Sequence, residues 1–398
     1  MSDHESDTEE ARELDLSKSD VVTKYKAAAK ITNSVLSSVI QACKPDTKIA
    51  ELCERGDKLI QEAVSKEFKG KNIEKGVAFP TCISPNNVVG HFSPLKEDNT
   101  AVKAGDVLKI DLGVHIDGFI ATAAHTLQVP ESPADDAQQQ SAAITGKAAD
   151  VIAAANTALE AALRLVRPGR HISDVPDVLR KVVESYGCNL VEGVMTHQMK
   201  QFVIDANKCV LNRPSPEHKV EDGEFEENEV YAVDIVVSTG EGKPKIVDEK
   251  QTTVYKRALD MVYSLKMKAS RAVFKEINTR FPALPFTFRE LGGTSSREAS
   301  SSRLGIVECL SHGLLHPYPV MFEKSGELVA QFKTTVLLMP NGSDRITNAP
   351  LQQISTDKQV TDEEVKTLLA ASLKSKKKNK KKKAAKVENG AKEVEAEQ

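Results

Sequence analysis

The chain has 398 residues, of which 40% are hydrophobic, so it can bury a substantial core in one large α/β domain or two ordinary ones. Its formal net charge of −3 is unevenly placed, because residues 372–398 hold ten lysines against four glutamates. No run of about 18 apolar residues occurs, which excludes a membrane-spanning helix. The six cysteines are widely spaced, without a C-x-x-C pair, as is typical of reduced thiols inside the cell.

The predicted elements begin after an acidic segment. Residues 1–18 carry repeated aspartates and glutamates with almost no large apolar side chains, which predicts a flexible arm. A periodic Ala, Val and Ile pattern then predicts a helix over residues 20–43, capped by Ser19 or Asp20 and stopped by a lysine-proline pair. A second helix is predicted over residues 46–69.

The next segment, residues 77–129, consists of short β-branched runs that predict strands. Asp117-Gly118 lies between two of these runs and predicts a hairpin with a two-residue loop. Such a loop places Asp111 and Thr122 on the same face of the hairpin.

The order of two helices followed by strands then occurs a second time. Helices are predicted over residues 136–166 and 172–187, and strands over residues 190–195, 231–237 and 245–255. This repetition predicts two similar halves around a shared antiparallel sheet. An insertion of about residues 256–325 precedes the last strand, at residues 329–338, which completes the domain of residues 19–345.

The C-terminal part is polar. Residues 346–373 are predicted to be a linker with a short amphipathic helix, opened by a capping box that runs from Thr361 to Glu364. The apolar positions of this helix include Val365, Leu368 and Leu369.

Residues 374–398 form a lysine-rich tail that is predicted to be disordered. Eight lysines occupy the ten positions of residues 374–383. Such a segment binds polyanions by neutralising phosphates and releasing counterions, which indicates RNA as its partner. The alternative is a nuclear localisation signal, which is compatible with RNA binding. The predicted RNA-binding residues are Lys374, Lys376, Lys377, Lys378, Lys380, Lys381, Lys382, Lys383 and Lys386.

Several motifs of the folded part occur together. They are Phe79-Pro80-Thr81, Asn86-Asn87 with His91, Lys109-Ile110-Asp111-Leu112-Gly113, Val230-Tyr231-Ala232-Val233-Asp234, and Ser238-Thr239-Gly240. In this order and spacing they resemble the type 2 methionine aminopeptidases over roughly residues 20–345. The resemblance implies an α+β pita-bread fold, with two pseudo-symmetric halves around a central antiparallel sheet and a type 2 insertion.

In that family, two aspartates, one histidine and two glutamates hold two metal ions. The resemblance places these ligand positions on Asp111, Thr122, His197, Asp234 and Lys333. Four carboxylates thereby become two carboxylates and one ammonium, so the formal ligand charge changes from −4 to −1. Bridged divalent ions need several anionic oxygens, so we expect no dinuclear metal centre and no cofactor.

Lys333 has two interpretations at this stage. It could be a solvated strand residue, or its ammonium could replace the metal charge between Asp111 and Asp234 and stabilise two buried carboxylates. The resemblance also places the two substrate-contacting histidines of the enzymes on His91 and Asp205. His91 and His197 could equally be hydrogen-bonded interior residues, and His115 and His125 match no ligand position.

These departures and the basic tail together resemble one branch of the pita-bread proteins, the proliferation-associated, ErbB-receptor-binding family. The resemblance implies a monomeric pseudo-enzyme that binds ribosomes and ribosomal RNA in cytoplasm, nucleus and nucleolus. It further implies roles in translation, ribosome biogenesis, growth control and transcription, with a receptor tail or co-regulators as protein partners. Some members bind co-regulators through an L-x-x-L-L helix, in which Val365 replaces the first leucine here.

An enzyme remains the alternative. A methionyl aminopeptidase could work with one metal ion at Asp111, His197 and Asp234. Lys333 separates the two hypotheses, because an enzyme of this mechanism needs an anion at that position.

Overall fold

The computed structural model describes residues 14–130, 143–216, 220–291 and 296–373, with the side chains of residues 296–299 left out. The lysine tail therefore lies outside the described residues, as does the predicted start of the helix at residue 136. No helix in the described part of the chain is long and apolar enough to cross a membrane.

Two helices cover one face of the sheet in the N-terminal half. They are α1 (Ser19–Ala42) and α2 (Ile49–Val64), and the second is shorter than predicted at both ends. The predicted cap on α1 is wrong. Lys18 occupies the cap position, and no side-chain hydrogen bond caps the helix. Asp20 lies in the first turn instead, where its carboxylate contacts Lys24 Nζ at 2.5 Å.

The acidic arm ends earlier than predicted. Leu16 is buried in the core together with Val21, Tyr25 and Phe119. Asp15 also accepts hydrogen bonds from the backbone of Ser17 and Lys18, and residues 1–13 lie outside the described part.

A nine-stranded antiparallel sheet forms the centre of the molecule. Its main strands are β1 (Lys75–Pro85), β3 (Val107–Ile116), β4 (Phe119–Gln128), β8 (Val230–Ser238) and β14 (Val329–Met339), with β2 (Val88–Gly90) lying outside it. Its short strands are β5 (Asn189–Leu190), β6 (Met195–Met199), β7 (Cys209–Leu211) and β15 (Gly342–Arg345). The order β1-β3-β4-β14-β8-β6-β7 brings the last long strand between the two halves, and the predicted fold class is confirmed.

The β3–β4 hairpin forms as predicted. Asp117 and Gly118 both have positive φ, 56° and 76°, as a two-residue turn of this twist requires. Asp111 pairs with Ala124, and Gly113 pairs with Thr122. Asp111 and Thr122 are therefore diagonal neighbours on one face.

The second half has its own pair of helices, α3 (Gly146–Leu165) and α4 (Val175–Ser185). Alanines on α3 allow it to pack closely on β8 and β14, where they form a core with Val233 and Phe332. The single strand predicted over residues 190–195 is wrong, because β5 and β6 are separate strands that both pair with β8.

The predicted insertion forms a separate small sheet with two helices. It contains β10 (Val254–Arg257), α5 (Lys268–Arg280), β11 (Phe286–Thr287), α6 (Ser296–Ser311) and β12 (Leu315–Tyr318). A third sheet joins β2, β9 (Lys245–Ile246) and β13 (Met321–Phe322). The strand predicted over residues 245–255 is thus two strands in two different sheets.

The described chain ends with α7 (Glu363–Ala370). Its cap is Asp362, whose carboxylate accepts a hydrogen bond from Val365 N at 3.0 Å, so the capping box predicted on Thr361 is wrong. Thr361 instead donates its backbone N–H to Ser185.

Candidate functional site

The sheet register brings three of the predicted site residues into one row. Asp111 on β3 pairs with Ala124 on β4, Ala124 pairs with Lys333 on β14, and Lys333 pairs with Asp234 on β8. Directly opposed residues of an antiparallel sheet point to the same face, so all four side chains share one side. Lys333 lies between Ala124 and Asp234 in this row.

The ion pair predicted for Lys333 is present. Its Nζ lies 2.6 Å from Asp111 Oδ2 and 3.1 Å from Asp234 Oδ2. The side chains of Lys333 and Asp111 are only 9% and 3% exposed, which excludes the interpretation of Lys333 as a solvated strand residue. The ammonium also lies 5.4 Å from the ring centre of Phe79, within the range of a cation–π contact.

Gln331 completes this charge cluster, and the sequence reasoning missed it. Its Nε2 donates to both oxygens of Asp234, at 3.0 and 3.2 Å, and lies 3.5 Å from Asp111 Oδ2. Gln331 is two residues before Lys333 on β14 and therefore lies on the same face. This two-residue spacing could have identified Gln331 as a member of the site from the sequence.

Burial and mutual charge decide the ionisation of the cluster. Burial raises the pKa of Asp111, while the ammonium of Lys333, 2.6 Å away, opposes this shift and favours the ionised carboxylate. Burial alone would lower the pKa of Lys333, but Asp111 and Asp234 raise it. At neutral pH the cluster is therefore an ammonium held between carboxylates.

Thr122 occupies the predicted position of the second hairpin aspartate with a methyl group and a hydroxyl. Its backbone N–H donates to Thr335 Oγ1 at 2.8 Å, and its carbonyl accepts from Thr335 and Thr347. The side chain is buried beside Gly113. It brings no anionic charge to the cluster.

His197 lies on β6 opposite Ala232, next to the strand that carries Asp234. Its buried Nδ1 has no hydrogen-bond partner among the described residues. Burial and the charge of Lys333 lower the pKa of His197, so the imidazole is neutral.

The two predicted substrate positions differ from each other. His91 has a φ of 63°, and its Nδ1 lies 3.2 Å from the carbonyl of Pro319. Its ring packs against those of Phe79 and Tyr318, and burial together with Lys333 lowers its pKa to about 4. Asp205 is partly exposed, and Lys256 Nζ contacts both its carboxylate oxygens at 2.5 Å.

The other two histidines near the hairpin are structural. His115 accepts a hydrogen bond from Gly118 N, and the ring of His125 packs edge-on against Phe332. Burial lowers the pKa of each to about 4.

The residues at this site do not fit a dinuclear metal centre. Lys333 places a positive charge between the two carboxylates that metal ions would have to share. Across the described residues, no group of three or more His, Cys, Asp or Glu side chains could hold a metal ion. The charge that such ions would supply is supplied here by an ammonium.

The predicted partner helix is α7, and its apolar face is turned inward. Val365 is buried, and Leu368 and Leu369 pack against the core cluster that includes α3 and α4. A partner that took this face would first have to displace it from the body. Its use as a docking helix stays a prediction.

The site geometry agrees with the comparison to known proteins. The model of metallopeptidase family M24 matches residues 23–277. ErbB-3 binding protein 1 of Solanum tuberosum is 56% identical over 93% of this chain and 92% of its own length. The chain belongs to the ErbB-3-binding branch of family M24.

Other relatives of this M24 protein carry different names. Curved DNA-binding protein of Schizosaccharomyces pombe is 42% identical over 94% of this chain and 96% of its own length. Among solved structures, a thermophilic Arx1 superimposes with a TM-score of 0.82 at 31% identity, covering 90% of this chain and 99% of that one. The pita-bread fold inferred from the motifs is thereby confirmed.

Proposed function

We propose that this M24 protein is a non-catalytic RNA- and ribosome-binding regulator that acts in translation or ribosome biogenesis and in growth control. The observation that carries the non-catalytic part is the contact of Lys333 Nζ with Asp111 and Asp234, at 2.6 and 3.1 Å. A peptidase of this family needs anionic ligands there for its metal ions. The buried ammonium prevents metal ions from binding at this position, while the fold of the domain is kept.

The RNA-binding part rests on the lysine tail. Its eight lysines in ten positions can follow a phosphate backbone, and no aromatic residues accompany them to stack on bases. The name of the fission yeast relative, which refers to DNA binding, favours the same class of polyanionic partner. We propose binding that depends on charge rather than on base sequence, and a location in cytoplasm, nucleus and nucleolus.

A protein-binding role is compatible with this function. The name of the Solanum tuberosum relative refers to a receptor, ErbB-3, and transcriptional co-regulators are the second class implied by the motif at residues 365–369. Because α7 packs its apolar face inward, we propose protein binding as secondary to RNA binding.

Ribosome co-sedimentation across a salt series tests the proposal. Changing the eight lysines of residues 374–383 to glutamine should weaken binding, because each lost phosphate contact removes counterion release. If the tail contacts roughly six phosphates, the intact protein should lose about 10³-fold in affinity between about 50 and 200 mM salt. The glutamine variant should show a much flatter dependence.

The matched control changes the same eight lysines to arginine, which keeps the charge and should keep both affinity and salt dependence. Truncation after Leu373 should behave like the glutamine variant. If the glutamine variant sediments with ribosomes as the intact protein does at every salt concentration, the tail is not the binding element and the proposal fails.

A further inference from the structure

The folded body fixes the point at which the lysine tail begins. After α7, the carbonyl of Ala371 accepts a hydrogen bond from Arg164 Nε at 3.0 Å, and the carbonyl of Ser372 accepts one from Arg167 Nη2 at 2.9 Å. Leu373 then packs against the core of the second half. The tail therefore leaves the body beside the C-terminal end of α3.

The arginines near this exit point outnumber the carboxylates that form ion pairs with them. Glu160 is paired with both Arg164 and Arg345, at 3.0 and 2.9 Å. Arg167 and Arg170 form no ion pair with a described carboxylate. Arg164 and Arg345 therefore share one carboxylate, and no described carboxylate forms an ion pair that balances the charges of Arg167 and Arg170.

Arg167 uses only part of its hydrogen-bonding capacity, because Nη2 donates to the carbonyl of Ser372. Its Nε is buried and has no hydrogen-bond partner among the described residues. Burial lowers the pKa of Arg167, and the positive charges of Arg164 and Arg170 lower it further. Arg170 itself is exposed, and its backbone pairs with Phe225.

We propose that Arg167 and Arg170 form a phosphate-binding patch on the folded body, which continues the lysine tail and holds the backbone of the same RNA strand. This inference rests on the proposed function. Planar guanidinium groups can bind phosphate oxygens through two parallel hydrogen bonds, which ammonium groups cannot do. The exposed Arg170 is placed to bind in this way, and Arg167 adds its positive charge beside it. The patch fixes one point of a strand whose phosphates the lysines of the tail neutralise.

Nearby acidic residues limit the path of such a strand. Glu224 lies 3.5 Å from His171 Nε2, and Asp222 accepts hydrogen bonds from Ser173. An RNA backbone would be repelled on that side, so it leaves the patch toward α7 and the start of the tail. Phosphates closest to the body should then lie near Arg167.

Binding of fluorescent poly(U) by the full-length protein tests this patch. The double variant Arg167→Gln, Arg170→Gln should bind several-fold more weakly at low salt. The slope of log affinity against log salt should fall by about 1.4, because two phosphate contacts to a single strand are lost at about 0.7 each. Arg170→Glu alone, which leaves the contact to Ser372 intact, should weaken binding as well.

The control variant is Arg180→Gln, Lys324→Gln. It removes the same charge from two exposed cations that already pair with Asp177, Glu184 and Glu241, so the slope should stay unchanged. If the Arg167 and Arg170 variants bind like this control while tail truncation still weakens binding, the patch is wrong and the RNA-binding function stands. If truncation of the tail also leaves binding unchanged, both the patch and the RNA-binding function of the tail are wrong. Equal competition by poly-glutamate and poly(U) would indicate an acidic protein partner and overturn the assignment to RNA.

Discussion

Replacing Lys333 by methionine should lower the free energy of unfolding by about 3–5 kcal/mol, measured by urea denaturation. The reason is that the substitution leaves two buried carboxylates, Asp111 and Asp234, without their cation. Removing one partner of a buried ion pair is strongly destabilising because the remaining charge stays desolvated. Gln331 alone cannot compensate for two negative charges.

Two further variants separate this electrostatic effect from lost packing. Adding Asp111→Asn and Asp234→Asn to Lys333→Met should recover most of the stability, since a neutral cluster has no uncompensated charge. Lys324→Met, at an exposed lysine paired with Glu241, should leave the unfolding free energy nearly unchanged. If the triple variant is less stable than the single variant, the ion pair is not what stabilises this site.

The effect of Lys333 should also depend on pH. Asp111 and Asp234 raise the pKa of Lys333 above its ordinary value of 10.5. A cation whose pKa is raised by folding contributes stability that is complete below the unfolded value and is lost as pH rises through the folded value. The difference between the original protein and Lys333→Met should therefore shrink above about pH 10.5.

Arg289→Met should have a second large effect, because this guanidinium connects the insertion to the N-terminal half. Its Nη2 lies 2.9 Å from Asp57 Oδ2, and its Nη1 donates to the carbonyls of Ser93 and Pro94. The side chains of Arg289 and Asp57 are 4% and 10% exposed. Losing the guanidinium leaves Asp57 buried without a cation, with the backbone N–H of Thr81 as its remaining partner, which should cost about 3–5 kcal/mol.

Limited proteolysis should locate this effect. The segments that flank α5, residues 258–267 and 281–285, should be cleaved faster in Arg289→Met, because the insertion has lost this buried connection to the body. Arg280→Met is the matched control, since Arg280 is an exposed arginine of the same insertion paired with Glu276 and Glu290. Equal cleavage rates in the two variants would contradict this role of Arg289.

The sequence predicted the row of site residues because local and family signals agreed there. Asp117-Gly118 fixes the hairpin register, and the register in turn fixes the face on which Asp111 and Thr122 lie. The β-branched segment that became β14 indicated the strand that carries Lys333. The resemblance was required to assign His197, Asp234 and Lys333 to the same site as the hairpin residues.

Other features depended on contacts that have no local pattern. Asp57 and Arg289 are 232 residues apart in the chain, and neither belongs to a sequence motif that predicts their ion pair. The 3₁₀ turn at residues 249–251 splits β9 from β10 inside one polar run, which periodicity read as a single strand. Asp362 rather than Thr361 caps α7, and the sequence pattern could not choose between them because both residue types suit the cap position.

Calorimetric titration of the purified protein with Co²⁺ or Mn²⁺ at neutral pH tests the central claim most directly, with an active methionine aminopeptidase as the positive control. Our account predicts no stoichiometric binding at the Asp111–Lys333–Asp234 cluster, because the ammonium already occupies the position between the two carboxylates. Binding of one or two ions per chain that is abolished by Asp111→Asn, Asp234→Asn would contradict it and would make a peptidase mechanism the better explanation of this site.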